Sequence, residues 1–205
     1  LFLSCTAEGG CTSNVSHGSS FKNNQAERRG GAIAWLGEQP EVSYDVEFSN
    51  NQAFFGQNIS GIPHTITPIS SSDVSTVKLP LTPVPQDYQT QVLLQDQRSG
   101  NTLQSPFLFA IVDAYGQVIT SDSLTEANIE LIPNQNANDG VVHGGQQRAD
   151  KGIFNFSGMY LRLTPGTEGT YVIRTDSFAF DTFPESYRTF KISFRECTRG
   201  EIKRA

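Results

Sequence analysis

The hexapeptide Phe21-Lys22-Asn23-Asn24-Gln25-Ala26 returns as Phe48-Ser49-Asn50-Asn51-Gln52-Ala53, with five of six residues identical and a spacing of 27 residues. The similarity continues, because Gly30-Gly31-Ala32-Ile33 corresponds to Gly56-Gln57-Asn58-Ile59 after a shortening of one residue. A unit of this length, with Gly and Asn at turns and no amphipathic helix, is typical of one coil of a parallel β-solenoid.

The repeat predicts which residues stack on one another. Equal positions of neighbouring coils lie about 4.8 Å apart and therefore come into contact. Two of the expected pairs are apolar or aromatic and belong in the interior, and the third is expected to form a ladder of side-chain amides. The pairs are Phe21 over Phe48, Ala26 over Ala53, and Asn23 over Asn50.

Two coils do not bury a continuous core, since a stable solenoid needs about three or more repeats. We therefore expect either further coils before Leu1 or a head-to-tail contact with another subunit. The chain opens on Leu1-Phe2-Leu3-Ser4-Cys5 without Met and reads as a segment of a longer protein. A strand cut at its start is favoured over the tail of a signal peptide, because no basic region precedes the apolar residues.

The remainder of the chain predicts a second all-β unit. The terminal solenoid coils are assigned to residues 1–67, and a connector rich in Ser, Thr and Pro to residues 68–87. Short alternating apolar runs then fill residues 88–197, as in an immunoglobulin-like β-sandwich, and two of them, residues 107–113 and 117–120, predict a hairpin. Residues 198–205 are expected to begin a further, cysteine-rich segment.

Composition excludes some classes of function. The chain has 21 acidic and 15 basic residues, a formal net charge of -6, which argues against a nucleic-acid partner. No apolar run in the sequence is long enough to cross a bilayer as a helix.

Cysteines and sequons favour an oxidising, extracellular location. Three Asn-x-Ser sequons are candidate N-glycosylation sites, at Asn14, Asn58 and Asn155. An ordinary polar turn is the alternative at each of them. Cys5 and Cys11 are close enough in sequence for a small-loop disulfide, and the partner of Cys197 is expected beyond Ala205.

No motif of the sequence points to catalysis, a metal or a cofactor. There is no Gly-x-Ser-x-Gly elbow and no cysteine spacing typical of zinc. The pair Arg28-Arg29 is compatible with an acidic sugar but is more typical of a solvated turn, and Trp35 is a candidate sugar platform or, more often for a lone aromatic, a packed residue. Four aspartates are candidate Ca²⁺ ligands, although aspartates in loops more often form turns: Asp113, Asp122, Asp139 and Asp150.

The run Phe-x-Asn-Asn-x-Ala with Gly-Gly-Ala-Ile, followed by Ala53-Phe54-Phe55-Gly56-Gln57-Asn58-Ile59 and Pro63, resembles the last coils of large extracellular parallel β-helix proteins of protists. In repeat style these are similar to polymorphic outer-membrane proteins and pectin-lyase-like solenoids. The resemblance implies a sandwich module next, in the region of residues 112–119, and a cysteine-rich stretch beginning near Cys197. It carries over no catalytic residue.

These observations predict a non-catalytic structural or adhesive module of an extracellular, cell-surface or filament-forming protein. Its expected partners are other copies of the chain, other extracellular chains and N-linked glycans. The alternative is a carbohydrate-binding or polysaccharide-processing β-helix protein, which should present a groove lined with convergent polar groups.

Overall fold

The computed structural model describes residues 1–4, 14–36, 39–70, 92–133, 140–175 and 189–198. All of the regular elements in these ranges are β-strands, so the predicted all-β class is confirmed. None of the described residues belongs to a helix long and apolar enough to cross a membrane.

The N-terminal strands are short and pair in parallel. We call residues 14–36 the first repeat and residues 41–60 the second repeat, because each contributes three strands in the same order. The strands are β1 (Phe2–Ser4), β2 (Asn14–Val15), β3 (Ser20–Lys22), β4 (Ile33–Leu36), β5 (Glu41–Val42), β6 (Glu47–Ser49) and β7 (Ile59–Ser60). They form three columns, with orders β1-β4-β7, β2-β5 and β3-β6.

The later strands are longer, and most of them pair antiparallel. They are β8 (Pro63–Ile69), β9 (Val92–Gln97), β10 (Asn101–Thr102), β11 (Leu108–Asp113), β12 (Glu126–Leu131), β13 (Val141–His143), β14 (Gln146–Arg148), β15 (Ile153–Asn155), β16 (Tyr160–Arg162), β17 (Glu168–Thr175) and β18 (Thr189–Phe194). A five-stranded sheet has the order β14-β12-β17-β18-β9, in which only β18 and β9 run parallel. Two three-stranded antiparallel sheets have the orders β15-β11-β8 and β10-β16-β13.

One large apolar cluster joins these three sheets. Alternate residues of β18, which are Phe190, Ile192 and Phe194, point into it, as the period of two along a strand requires. Strand β11 is buried at five consecutive positions because both of its faces are covered: Phe109 and Ile111 belong to the large cluster, and Ala110 and Val112 to a smaller one behind it.

The change from parallel to antiparallel pairing comes earlier than the sequence predicted. The solenoid was assigned to residues 1–67 and the connector to 68–87, but parallel pairing ends at Ser60. The next strand, β8, pairs with β11 from Pro63 to Ile69 instead. Pro63 and Pro68 both fit β8 because this strand is at the edge of its sheet. Residues 71–91 lie outside the described residues.

The predicted hairpin that follows β11 is closed by Asp113, the last residue of this strand. Asp113 donates its backbone N–H to the carbonyl of Gln117 at 3.0 Å, and Gly116 occupies the left-handed region with a φ of 72°. Val112 and Val118 form the antiparallel bridge beyond the turn. Only this bridge remains of the second predicted strand, residues 117–120.

Candidate interaction surface

The two repeats stack aromatic on aromatic. Phe21 pairs with Phe48 in the β3–β6 register, and their ring centroids lie 5.5 Å apart with planes inclined by 14°. Both rings pack partly buried against a small core whose centre is Val15, Ala32 and Ile33. The spacing of 27 residues therefore returns an aromatic ring to the same place in each repeat. The alanines of the predicted pairs, Ala26 and Ala53, are half-buried.

The side-chain amide contact lies one residue later than the sequence predicted. Asn23 and Asn50, the expected ladder, both adopt the left-handed backbone region with φ of 57° and 54°, which Asn tolerates better than most residues. The next residues make the contact instead. Asn24 donates both its backbone N–H and its Nδ2 to Oδ1 of Asn51, at 3.1 and 2.9 Å.

Asn51 is the centre of this amide network. It is 5% exposed, and its Nδ2 donates to the carbonyl of Phe21 at 3.0 Å and to Oδ1 of Asn58 at 3.2 Å. Asn24 is exposed, and its own Oδ1 accepts no hydrogen bond from the described residues. The two equivalent amides thus differ: that of the second repeat is saturated, whereas that of the first has an acceptor to spare.

Charged pairs follow the same stacking on the outer surface. Lys22 and Glu47 form an ion pair at 2.8 Å, and the hydrogen bond from Lys22 lowers the pKa of Glu47. In the preceding turn, His17 and Asp45 lie 2.9 Å apart, and the backbone N–H of Gly18 donates to Asp45. Each pair joins the first repeat to the second, so the register is fixed on both its inner and outer faces.

On the side that faces away from the second repeat, β2 and β3 have no neighbouring strand among the described residues. The backbone N–H groups of Glu47 and Asn23 bond to the carbonyls of Ser19 and Ser49, which fixes the backbone groups of odd-numbered β3 residues toward the second repeat. Ser20 and Lys22 alternate with these and point their backbone groups to the opposite side. We call this side of β2 and β3 the open face; β3 has β6 as its one described neighbour.

At the opposite edge of the stack, strand β7 is closed by the hairpin turn after β11. Gln117 donates Nε2 to the carbonyl of Ile59 in β7 at 2.8 Å and to Oδ2 of Asp113 at 3.1 Å. At the other end of the same column, β1-β4-β7, the carbonyl of Leu1 accepts from the backbone N–H of Ala34. Because Leu1 and Ile59 hold equivalent positions, the Gln117 amide takes the place of the N–H that a next strand would supply.

Asp113 organises this closure. It is 1% exposed, and its carboxylate accepts from the backbone N–H groups of Tyr115 and Gln117, both at 2.9 Å, and of Gly61 at 3.1 Å. A turn-forming role is thus seen for Asp113, as it is for Asp122, whose carboxylate accepts from the backbone N–H groups of Leu124 and Thr125. No group of three or more metal-ligating side chains occurs among the described residues.

Trp35 packs at this junction and is 4% exposed, so it offers no sugar platform. Its ring meets that of Tyr115 edge to face at 6.4 Å, and a Cβ added to Gly61 would lie 2.7 Å from Trp35 Cζ2. Glycine at position 61 is therefore required by the close approach of the Trp35 indole. Burial raises the pKa of the neighbouring Tyr115.

No protein-family model matches the chain, and a search of curated proteins found no relative. The surface has to be interpreted from its own geometry.

The predicted modification sites are distributed over the whole chain. The three sequon asparagines, Asn14, Asn58 and Asn155, are all exposed. Two of them already use their side-chain oxygen: Asn58 accepts from Asn51, and Asn155 accepts from the backbone N–H of Ser157 at 2.9 Å. Cys197 is an exposed free thiol. Cys5, Cys11 and Asp139 lie outside the described residues, and Asp150 is exposed in a turn.

Sequence reasoning missed three residues that build the surface. Asn24 and Asn51 were within the repeat, but a repeat does not say which of two adjacent asparagines points inward. Gln117 carries no sequence signal, because its partner Ile59 is 58 residues away. Arg28 and Arg29 were predicted to lie in a solvated turn. Arg29 forms an isolated parallel bridge with Phe55, and Arg28 directly precedes it.

Proposed function

We propose that the chain is a non-catalytic structural module of an extracellular, cell-surface or filament-forming protein, and that it acts through protein–protein assembly. The observation that carries this proposal is the unpaired edge of the parallel stack: the column of β4 is covered by β1 and closed at β7 by Gln117, whereas β2 and β3 have no second neighbouring strand among the described residues. An unpaired, regular edge with apolar positions beside it is a template for another chain.

In this proposal the two repeats are the terminal coils of a parallel β-solenoid. The support is the constant register, since residues 27 apart pair in the columns β2-β5 and β3-β6, and residues 26 apart pair in β4-β7. The later strands are proposed to be an immunoglobulin-like sandwich, because the five-stranded sheet and the two three-stranded sheets share one core.

The edges of the later sheets favour assembly through the open face. Strand β8 carries Pro63 and Pro68, which remove backbone donors. Strand β9 is interrupted at Asp96, where φ is 54° and the register with β18 shifts. Strand β14 has only three residues. Short, bulged and proline-bearing edges resist pairing. Strand β3 is as short as β14, but it carries no proline and no register shift, and its Lys22 is paired with Glu47.

A non-catalytic role is supported by how the carboxylates are used. Asp113 is saturated by backbone and amide donors, and Asp122 is committed to its own turn. An extracellular location and N-linked glycans are supported by the exposure of Asn14, Asn58 and Asn155.

A second candidate function, carbohydrate binding, is favoured by one observation. Tyr44 is 93% exposed, and the edge of His17 lies near its ring, with Asp45 paired to His17. An exposed tyrosine presents both an apolar ring and a polar hydroxyl to a ligand. The His17–Tyr44 pair, however, repeats the coil register, so it also has a purely structural reason.

Sedimentation velocity over a wide range of concentration tests the proposed function. We expect species heavier than the 22.5 kDa monomer that disappear in Ser20→Lys, because a lysine on an edge strand opposes pairing. Thr102→Lys, at an exposed position of β10, is the matched control and should assemble like the wild type. A monomer at every concentration that binds polysaccharide through Tyr44 would replace this function by the second candidate.

A further inference from the structure

We infer that the open face receives one further coil of the same repeat. This coil runs parallel to β2 and β3, continues into β1 and contacts Phe21 and Asn24. This inference rests on the proposed function and adds the identity of the partner. Its chemistry is defined: an aromatic residue followed three positions later by asparagine.

The columns of the stack differ in their number of strands. The column of β4 has three strands, because β1 lies on β4 with Phe2 paired to Ala34. The columns of β2 and β3 have two strands each. A strand of the next coil is therefore already in place in one column, and the open face is where the other two strands of that coil would lie.

The side-chain amide of Asn24 is unmatched on the open face. Asn51 Oδ1 accepts both the backbone N–H and the Nδ2 of the residue one coil before it, Asn24. Translated by one coil, the same two donors of an incoming asparagine reach Asn24 Oδ1, which accepts no hydrogen bond from the described residues. The Phe21 ring is stacked on Phe48 on one face, and among the described residues no aromatic ring is stacked on its other face, where an incoming aromatic ring would lie.

A second copy stacked head to tail is excluded. Such a contact would place β5, β6 and β7 of one copy on β2, β3 and β4 of another, but β4 already carries β1, and the Ile59 carbonyl of β7 already accepts from Gln117. Two copies that met through their open faces would make neighbouring strands antiparallel. The register of Asn24 with Asn51 favours a parallel partner.

A fusion tests this inference directly. Residues 14–32 are copied and joined before Leu1, so that the copied Ala32 precedes Leu1 as Ala32 precedes Ile33 in the chain. The equivalence follows from the pairing of Phe2 with Ala34. In the fusion we expect the amide protons of Ser20 and Lys22 to exchange at least about tenfold more slowly, because a strand now covers them. The urea m-value should also rise with the added buried surface.

The matched control is the same fusion with Asn24→Asp in the copied segment, which keeps the shape but removes the Nδ2 donor. A second control keeps the copy unchanged and carries Asn24→Asp in the host coil, which places a carboxylate where the amide oxygen accepts. In the first control we expect the amide protons of Ser20 and Lys22 to lose most of their slower exchange. Unchanged exchange at Ser20 and Lys22 in the fusion, or equal protection with the aspartate copy, would overturn the inference.

The possible outcomes separate the inference from the proposed function. Protection of the Tyr171 region by hydrogen exchange reports whether each variant is folded. If the fusion fails to protect the open face while the unfused chain still assembles in sedimentation, the partner is wrong and the structural role stands. The heavier species expected of the unfused chain can form through two open faces, so the fused coil, which covers this face, should abolish them. A fusion that still assembles through this face would contradict the parallel coil.

Discussion

Gly61 and Asp113 connect the parallel stack to the antiparallel sheets across 52 residues of sequence: the backbone N–H of Gly61 donates to Asp113 Oδ2 at 3.1 Å. The same carboxylate orders the hairpin turn that presents Gln117 to Ile59. A single buried side chain therefore sets both the turn and the closure of the stack.

Asp113→Asn should destabilise the chain although it preserves the size of the side chain. The carboxylate accepts on both oxygens, and an amide would turn an N–H toward a donor on one side. We expect a loss of about 2 to 3 kcal/mol in the free energy of unfolding, measured by urea denaturation. Asp122→Asn is the control, because the Asp122 side chain bonds only within its own turn; an equal loss in both would contradict a special role for the junction.

Gly61→Ala should also weaken the junction, by about 2 kcal/mol, because the new methyl group would overlap the indole of Trp35. A double-mutant cycle with Trp35→Phe isolates the cause. The smaller ring should recover part of the loss, so that the two substitutions are less than additive. Full additivity would show that the alanine acts elsewhere.

The two equivalent asparagines should differ in their contribution to stability. Asn51→Ala leaves two donors of Asn24 and the carbonyl of Phe21 without their partner, so we expect a loss of about 2 kcal/mol. Asn24→Ala removes one side-chain hydrogen bond at an exposed position, and about 0.5 to 1 kcal/mol is expected. Urea denaturation of both variants measures the difference, and a larger effect of Asn24→Ala would contradict a ladder that ends at the open face.

N-linked glycan is expected when the chain is expressed through a secretory pathway, with Asn14 as the first site to be occupied. Asn14 is exposed, whereas the side-chain oxygens of Asn58 and Asn155 are engaged in the fold. Intact mass before and after glycosidase treatment, compared with Asn14→Gln, measures occupancy. An unchanged mass on treatment of the wild type would remove the sequon argument for an extracellular location.

The sequence was informative where structure is local or repeated. Five identities in six residues predicted the column of Phe21 and Phe48, because a repeat specifies equal environments without any knowledge of the rest of the fold. The alternation along Thr189–Phe194 and the glycine after Tyr115 predicted a strand and a turn for the same reason.

The sequence was uninformative where two distant segments meet. The end of the parallel pairing at Ser60 depends on a strand partner, β11, that begins 48 residues later. The choice between Asn23 and Asn24 depends on which residue takes the left-handed conformation, and both are equally able to do so. Tertiary pairing decides each of these points, and no local pattern records it.

Tyr171 predicts a loss of stability in alkaline solution. Its side chain is fully buried in the large cluster, its ring is stacked on Phe190, and its hydroxyl has no hydrogen-bond partner among the described residues. Burial raises the pKa of Tyr171 above its ordinary value of 10.0. The unfolded chain therefore releases this proton first as the pH rises above about 10, so the free energy of unfolding falls by up to about 1.4 kcal/mol per pH unit from this group.

Tyr171→Phe should remove that dependence while it preserves the packing. At neutral pH we expect the variant to be as stable as the wild type or up to about 1 kcal/mol more stable, because an unpaired buried hydroxyl is removed. Between about pH 10 and 12 its urea midpoint should fall less steeply than that of the wild type. Tyr44→Phe, at an exposed turn, is the control and should follow the wild-type curve. A variant that is markedly less stable at neutral pH would show that the hydroxyl of Tyr171 makes a stabilising hydrogen bond after all.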